Sequence, residues 1–370
     1  ERLGDMTFTG IFVPGLNRPG ELMTAGFRVQ TFFMMPEFAG QPDRVTFLPL
    51  CYRDILALLR ASRIDAALLS LSPPDAAGLC SFGSVTDFMA ELWPQIPVRI
   101  AHINPRLPRT RGCPGIPFAE VTAVLEGEEE LPGSAPGRDE VSERIGRHAA
   151  GLVPDGATLQ CGLGRVPETA LSMLGSHRGL KIHSGLIGDS ALDLLEAGAL
   201  AAGTPVTAGV AIGTRRLYDA IGGEAFRFRP VSYTHSLRVL SGIERLVTIN
   251  SAIEVDLVGQ AYAEHTSRGY FSGPGGASDF AAGARAPGSC RIVVLPSTGG
   301  HGKASRIIGP GEAAGPVSLG RFDIDFVVTE HGIADLRWKT HDQRAEALIA
   351  LADPAHRARL QEAWDASRRT

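Results

Sequence analysis

Short apolar runs rich in β-branched residues alternate along the chain with stretches whose apolar positions recur at helical spacing. Residues 98–103, 157–161, 206–211, 246–250 and 291–295 are short β-rich runs and read as buried strands. Residues 54–61 and 189–198 carry the helical period, the second with Asp189 at its start and Gly198 at its end. A third helix is expected over 139–150. This alternation implies βαβ units, hence an α/β fold built on parallel sheets.

Neither period survives in the acidic, Pro- and Gly-rich stretch 126–137, which lies between two regions that each contain strands and helices. A domain boundary is expected there, dividing the chain into 1–133 and 134–370. A faint echo suggests duplication: strand-like residues 65–70 lead to Phe82-Gly83 and Asp87-Phe88, and residues 255–258 lead to Gly276 and Asp279-Phe280. The echo is weak enough for chance to produce it.

Composition narrows the class. A length of 370 residues supports a large core, and 44% hydrophobic with 21% charged residues describes a globular protein. A formal net charge of -4 offers no broad attraction for nucleic acid or an anionic membrane. No apolar run approaches the roughly 20 residues of a membrane helix, and no signal-peptide pattern opens the chain. Five scattered cysteines, never spaced C-x-x-C, read as reduced thiols of a cytoplasmic protein. The histidines lack metal-site spacing, so no metal is expected. The first residue is Glu1 rather than Met, which reads as a start inside a longer gene product.

Five segments carry candidate chemistry. Phe326-Val-Val-Thr-Glu-His-Gly332 runs an apolar strand into Glu330 and His331, and strand ends before a Gly are where α/β enzymes hold reactive groups. Pairing of Glu330 with Arg337 or Arg321 is the structural alternative. Gln160-Cys-Gly-Leu-Gly164 leads through Val166 and Pro167 into a helix, so its backbone N–H groups can meet an anion or an oxyanion. An ordinary strand-to-helix turn explains that pattern equally well, since the third Gly of a dinucleotide fingerprint and the Lys of a P-loop are both missing. Gly273-Pro-Gly-Gly276 allows close backbone approach. Lys is found only at 181, 303 and 339, so Lys303 within the Gly-rich 297–306 loop is a candidate phosphate contact, with a solvated surface as the alternative. Glu254 and Asp256 share one strand face, and a structural hydrogen-bonded pair is the favoured reading.

Taken in chain order, Gln160–Gly164, Ser251-Ala-Ile-Glu-Val-Asp-Leu-Val-Gly-Gln260, Gly273–Gly276 and Phe326–Arg337 resemble the acetyl-CoA hydrolase/transferase family, of the 4-hydroxybutyrate CoA-transferase type, over nearly the whole chain. The resemblance implies two similar open α/β domains and a cytoplasmic homodimer or other homo-oligomer. Its substrates would be an acyl-CoA and a small carboxylate or other acyl acceptor, with neither nucleic acid nor membrane as partner. It implies coenzyme A contacts at Gln160, Gly162, Gly164, Gly259, Gln260, Gly275, Gly276 and Lys303. Backbone oxyanion donors would come from Val166 and Gly276, and Glu330 would lie in the active site.

The same resemblance exposes a departure. The family's covalent carrier is a Glu after a His-Thr or Tyr-Thr pair, and the matching segment here is Leu180-Lys-Ile-His-Ser-Gly185. Gly185 stands at the nucleophile's position, and no acid occurs between His183 and Gly188. Either Glu330 or Glu254 replaces the nucleophile, or the thioester is attacked directly by water or an acceptor entering vacated space. The expectation is therefore an acyl-CoA-dependent transferase without the usual Glu, with a thioester hydrolase or a non-catalytic acyl-CoA-binding protein as alternatives.

Overall fold

The computed structural model describes residues 6–13, 16–134, 137–266, 269–270, 272–300 and 302–369. Phe271 and His301 of the two Gly-rich loops, and Ala135 and Pro136 of the expected boundary, lie outside them.

An eight-stranded sheet dominates the second part of the chain, in spatial order 226–228, 206–211, 181–187, 158–161, 246–251, 290–294, 326–329 and 332–335. All neighbours are parallel except the last pair, where Phe326 to Thr329 returns antiparallel to Gly332 to Asp335. Central strands are covered on both faces, which is why they read as continuous apolar runs: Leu159, Ile249, Val294 and Val328 are fully buried in one cluster. Each such side chain contributes about 1.5–3 kcal/mol relative to exposure.

The helix Glu140–Ala150 begins where Asp139 accepts the Ser142 N–H at 2.7 Å in a reciprocal capping box. Its Gly146 lies against Thr169 and Ala170 of the helix Arg165–Ser172, close enough that a methyl group there would be 3.3 Å from the Thr169 carbonyl. The predicted strands at 98–103 and 206–211 and the helix at 189–198 are all present, the last as Asp189–Glu196 ending before Gly198 at φ 67°.

Before residue 127 the strands form smaller sheets, two of them three-stranded and parallel. Residues 82–88 fasten this region to the large sheet: the Thr86 N–H donates to Gly209, the Ala211 N–H to Ser84, and the Val231 N–H to Asp87. On the other side, Gly273 crosses so close to the Phe32 carbonyl that no side chain fits between them.

Candidate functional site

Parallel strands deliver their carboxyl ends to one edge of the sheet, and Cys161, Ile187, Ser251, Val294 and Thr329 all terminate there. At that edge one residue joins two of the sequence candidates. A methyl group on Gly185 would lie 2.6 Å from Cε1 and 2.7 Å from Nε2 of His235, and one on Gly276 would collide with the same Nε2. The imidazole is thus wedged between two glycines from separate segments. The space above Gly185 is filled by a ring, which corrects the expectation that it stands vacant.

His235 is held on several sides. Its backbone N–H closes a short helix by donating to Val231, and its Nδ1 lies 2.9 Å from Thr234 Oγ1. Tyr52 stacks on the ring at 4.6 Å between centroids with an interplanar angle of 22°, and Phe280 meets it edge to face at 4.9 Å. Phe88 continues the row against Tyr52 at 5.3 Å. The two Asp-Phe pairs of the sequence echo therefore sit at the two ends of one aromatic row, Phe88 by Tyr52 and Phe280 by His235. His183, beside Ser184 on its strand, donates through Nε2–H to the Thr234 carbonyl at 3.0 Å, fixing the turn that presents His235.

Burial dominates the electrostatics. It pulls His235 down to about 3, with neighbouring His183 acting the same way, and it lowers His183 despite the bond to Thr234. Asp87, beside Tyr52, is pushed up to about 7 by burial; its Oδ1 has no hydrogen-bond partner among the described residues and its backbone takes a φ of 29°. A non-glycine residue at positive φ with an unsatisfied buried carboxyl is a strained arrangement. Asp279 differs in being paired: burial raises its carboxyl, but Oδ2 accepts the Arg53 N–H at 3.2 Å and Oδ1 lies 3.6 Å from Arg53 Nε.

Glu330 belongs to a different cluster. Its carboxylate accepts the Ser297 N–H at 2.9 Å and the Ser297 hydroxyl at 2.6 Å, tying two strand ends together. His331 Nε2 is 3.8 Å away, and half-buried Arg306 feels the charges of both Glu254 and Glu330. Four strand spacings separate the strand of Gly185 from that of Glu330, roughly 19 Å across the sheet. Glu330 therefore does not stand where a carboxylate attached at 185 would stand. Its alternative partners are also engaged elsewhere: Arg337 pairs with Asp335 at 2.7 Å, and Arg321 lies over Phe322. Glu330→Gln is expected to lower stability by about 1–3 kcal/mol, because an amide cannot accept both Ser297 donors as a carboxylate does. Chemical denaturation of the variant checks this.

Other candidates are placed as follows. Gln160 and Asn250 exchange two amide hydrogen bonds of 3.1 and 3.0 Å, locking neighbouring strands. Gly162 is required beside Asn250, whose Oδ1 would be 2.7 Å from a methyl group there, and Gly164 takes φ 126° before the helix that carries buried Val166 in its first turn. Gly275, at φ 61°, bridges to Cys51. Asp256 accepts from the Gln260 N–H and side-chain amide and from Tyr262, so the favoured structural reading applies to this carboxylate. Gly259 forms the turn beside it at φ 89°. Lys303 is exposed between two short paired strands.

Sequence reasoning missed His235, Tyr52 and Asp87. The sole hint of His235 was its place in Pro230-Val-Ser-Tyr-Thr-His235, and only the fold reveals that it faces Gly185 from 50 residues away.

Among known proteins, the acetyl-CoA hydrolase/transferase C-terminal domain matches residues 213–364. The 4-hydroxybutyrate coenzyme A transferase of Clostridium kluyveri is 34% identical over 334 residues, covering 87% of this chain and 78% of that protein. The crystal structure of a 4-hydroxybutyrate CoA-transferase from Porphyromonas gingivalis superposes with a TM-score of 0.80 at 30% identity, covering 98% of this chain and 94% of that one. RipA from Yersinia pestis gives a TM-score of 0.89 at 25% identity, covering 99% and 94%.

Proposed function

Since the chain belongs to the acetyl-CoA hydrolase/transferase family of CoA transferases, we propose that it activates an acyl-CoA thioester at the edge bearing Gly185 and passes the acyl group directly to water or to a small acceptor, without an acyl-glutamyl carrier. The observation that carries this reading is the His235 imidazole wedged between Gly185 and Gly276. Where the family resemblance puts a carboxylate, this chain has no side chain, and a neighbouring segment supplies a ring instead.

Backbone N–H groups at Val166 and Gly276 are proposed to hold the developing oxyanion, each worth on the order of 2.7–4 kcal/mol. The Gly162–Gly164 turn and the 273–276 loop would receive the pantetheine and thioester end of coenzyme A. For Gly276 the collision of any side chain with His235 adds a second reason for Gly, so Gly276→Val perturbs folding as well as binding. Gly259, Gln260 and exposed Lys303 remain proposed coenzyme A contacts. Glu330 is proposed to position the 297–306 loop rather than to act as nucleophile.

Incubating the protein with a panel of acyl-CoAs, while following free thiol and acyl products, tests the reading. Thiol release without an acceptor identifies a hydrolase, and exchange onto a carboxylate or hydroxyl identifies a transferase. Neither activity with any acyl-CoA would leave a non-catalytic acyl-CoA-binding protein. Intact-protein mass spectrometry after acyl-CoA treatment and borohydride reduction is expected to show no enzyme-CoA adduct. An adduct on Glu330 or Glu254 would overturn direct transfer.

A further inference from the structure

We propose that His235 is the general base of this site, its unprotonated Nε2 taking the proton from an O–H nucleophile as that oxygen attacks the thioester carbonyl carbon. The inference rests on the functional reading above and names the group that does its chemistry. Atoms balance as follows. The O–H proton moves to Nε2 while the new C–O bond forms. The C–S bond then breaks, and the imidazolium gives the proton to the departing thiolate, releasing coenzyme A as the thiol.

Three features of the geometry support the assignment. Position comes first: Cε1 and Nε2 lie within 2.7 Å of where a Cβ on residue 185 would be, so the ring edge occupies the ground of the family's carboxylate. Tautomer comes second. We assign the Thr234 hydroxyl proton to the Pro230 carbonyl at 3.3 Å, which makes Oγ1 the acceptor of Nδ1–H at 2.9 Å. Nε2 faces the two glycines and makes no hydrogen bond with the described residues, which leaves it free for a substrate proton. The third feature is rigidity: the Tyr52 stack, the Phe280 edge and the His183 bond to the Thr234 carbonyl fix the ring before any substrate arrives. Burial keeps the ring unprotonated at neutral pH, so its lone pair is free to accept a proton. A histidine that serves only to fill space requires neither the bare nitrogen at the glycines nor the Thr234 contact on the far side.

The test uses the whole chain with the best acyl-CoA found for the wild type. His235→Gln is expected to lower kcat at least about 100-fold while leaving the acyl-CoA dissociation constant within about twofold. His235→Ala is expected to regain activity when free imidazole is added. The wild-type rate is expected to lack an ionisation near 6.5, since the ring stays neutral there. Nitrogen-15 NMR of the wild-type imidazole, which requires no variant to fold, is expected to show Nδ1 protonated and Nε2 bare. Retained turnover in His235→Gln, loss without imidazole rescue in a folded His235→Ala, or protonation at Nε2 would each overturn the assignment while leaving the functional reading intact. A wild type that binds acyl-CoA and turns none over would overturn both.

Discussion

Gly185→Glu by itself is expected to destabilise the protein and to yield no enzyme-CoA adduct, whereas the same substitution combined with His235→Ala is expected to fold and to gain one. Gly185 does not have a positive φ, so its backbone accepts a side chain; the obstacle is the ring. The new Cβ would lie 2.6 Å from His235 Cε1, and the Tyr52 stack, the Phe280 edge and the Thr234 contact resist displacement of the imidazole. Overpacking of this kind costs about 1–3 kcal/mol, and an enclosed, unpaired carboxylate adds to it. Removing the imidazole opens the volume the carboxylate needs. The double variant then places an acid at the proposed thioester position, and a borohydride-reducible adduct mapped to residue 185 is the readout. Denaturant midpoints of the two variants provide the comparison. Equal stability of Gly185→Glu and the wild type would mean that the ring yields easily and that the three positions are not coupled.

The sequence carried most of the fold because parallel strands buried on both faces write themselves as apolar runs, as at 206–211, and because helix 140–150 announces its start through Asp139 and Ser142. It carried the Gly-rich turns but not their reasons. Gly273 and Gly276 read as room for a ligand, yet their neighbours are the Phe32 carbonyl and the His235 imidazole. The same limit applies to Glu330: a strand-end acid beside a His looks reactive in one dimension, and only the pairing of strand ends shows its two oxygens occupied by Ser297. The row Phe88, Tyr52, His235, Phe280 draws on four distant segments, and no spacing rule predicts a stack that forms across a seam. That residue 185 is a glycine was legible in the sequence; the imidazole packed against it was not.

Asp87→Asn is expected to make the protein more stable than the wild type at pH 8 and to change little at pH 4. Burial raises this carboxyl from 3.8 to about 7, and among the described residues Oδ1 has no hydrogen-bond partner that would favour the charge. The folded protein therefore keeps a proton that the unfolded chain releases near pH 4. The stability attached to that proton is fully present below about pH 4 and is lost as pH rises through about 7. The ceiling on this loss is about 4 kcal/mol, and Asn, which never ionises, escapes it. His235 works in the opposite direction. Its value falls from 6.5 to about 3 on folding, so its contribution is present above about pH 6.5 and is lost as pH falls towards 3. Between roughly pH 4 and 6.5 the two slopes offset each other, and wild-type stability is expected to be nearly flat with respect to this pair. Each single variant exposes the other residue's slope: Asp87→Asn gains stability as pH rises from 4 to 7, and His235→Gln loses it over the same interval. Urea midpoints of the three proteins at pH 4, 5.5, 7 and 8 measure both slopes. An Asp87→Asn variant less stable than the wild type at pH 8 would show that the folded state holds Asp87 as a favourably placed anion, and the strained turn at φ 29° would then have to be explained by a cation held beside it.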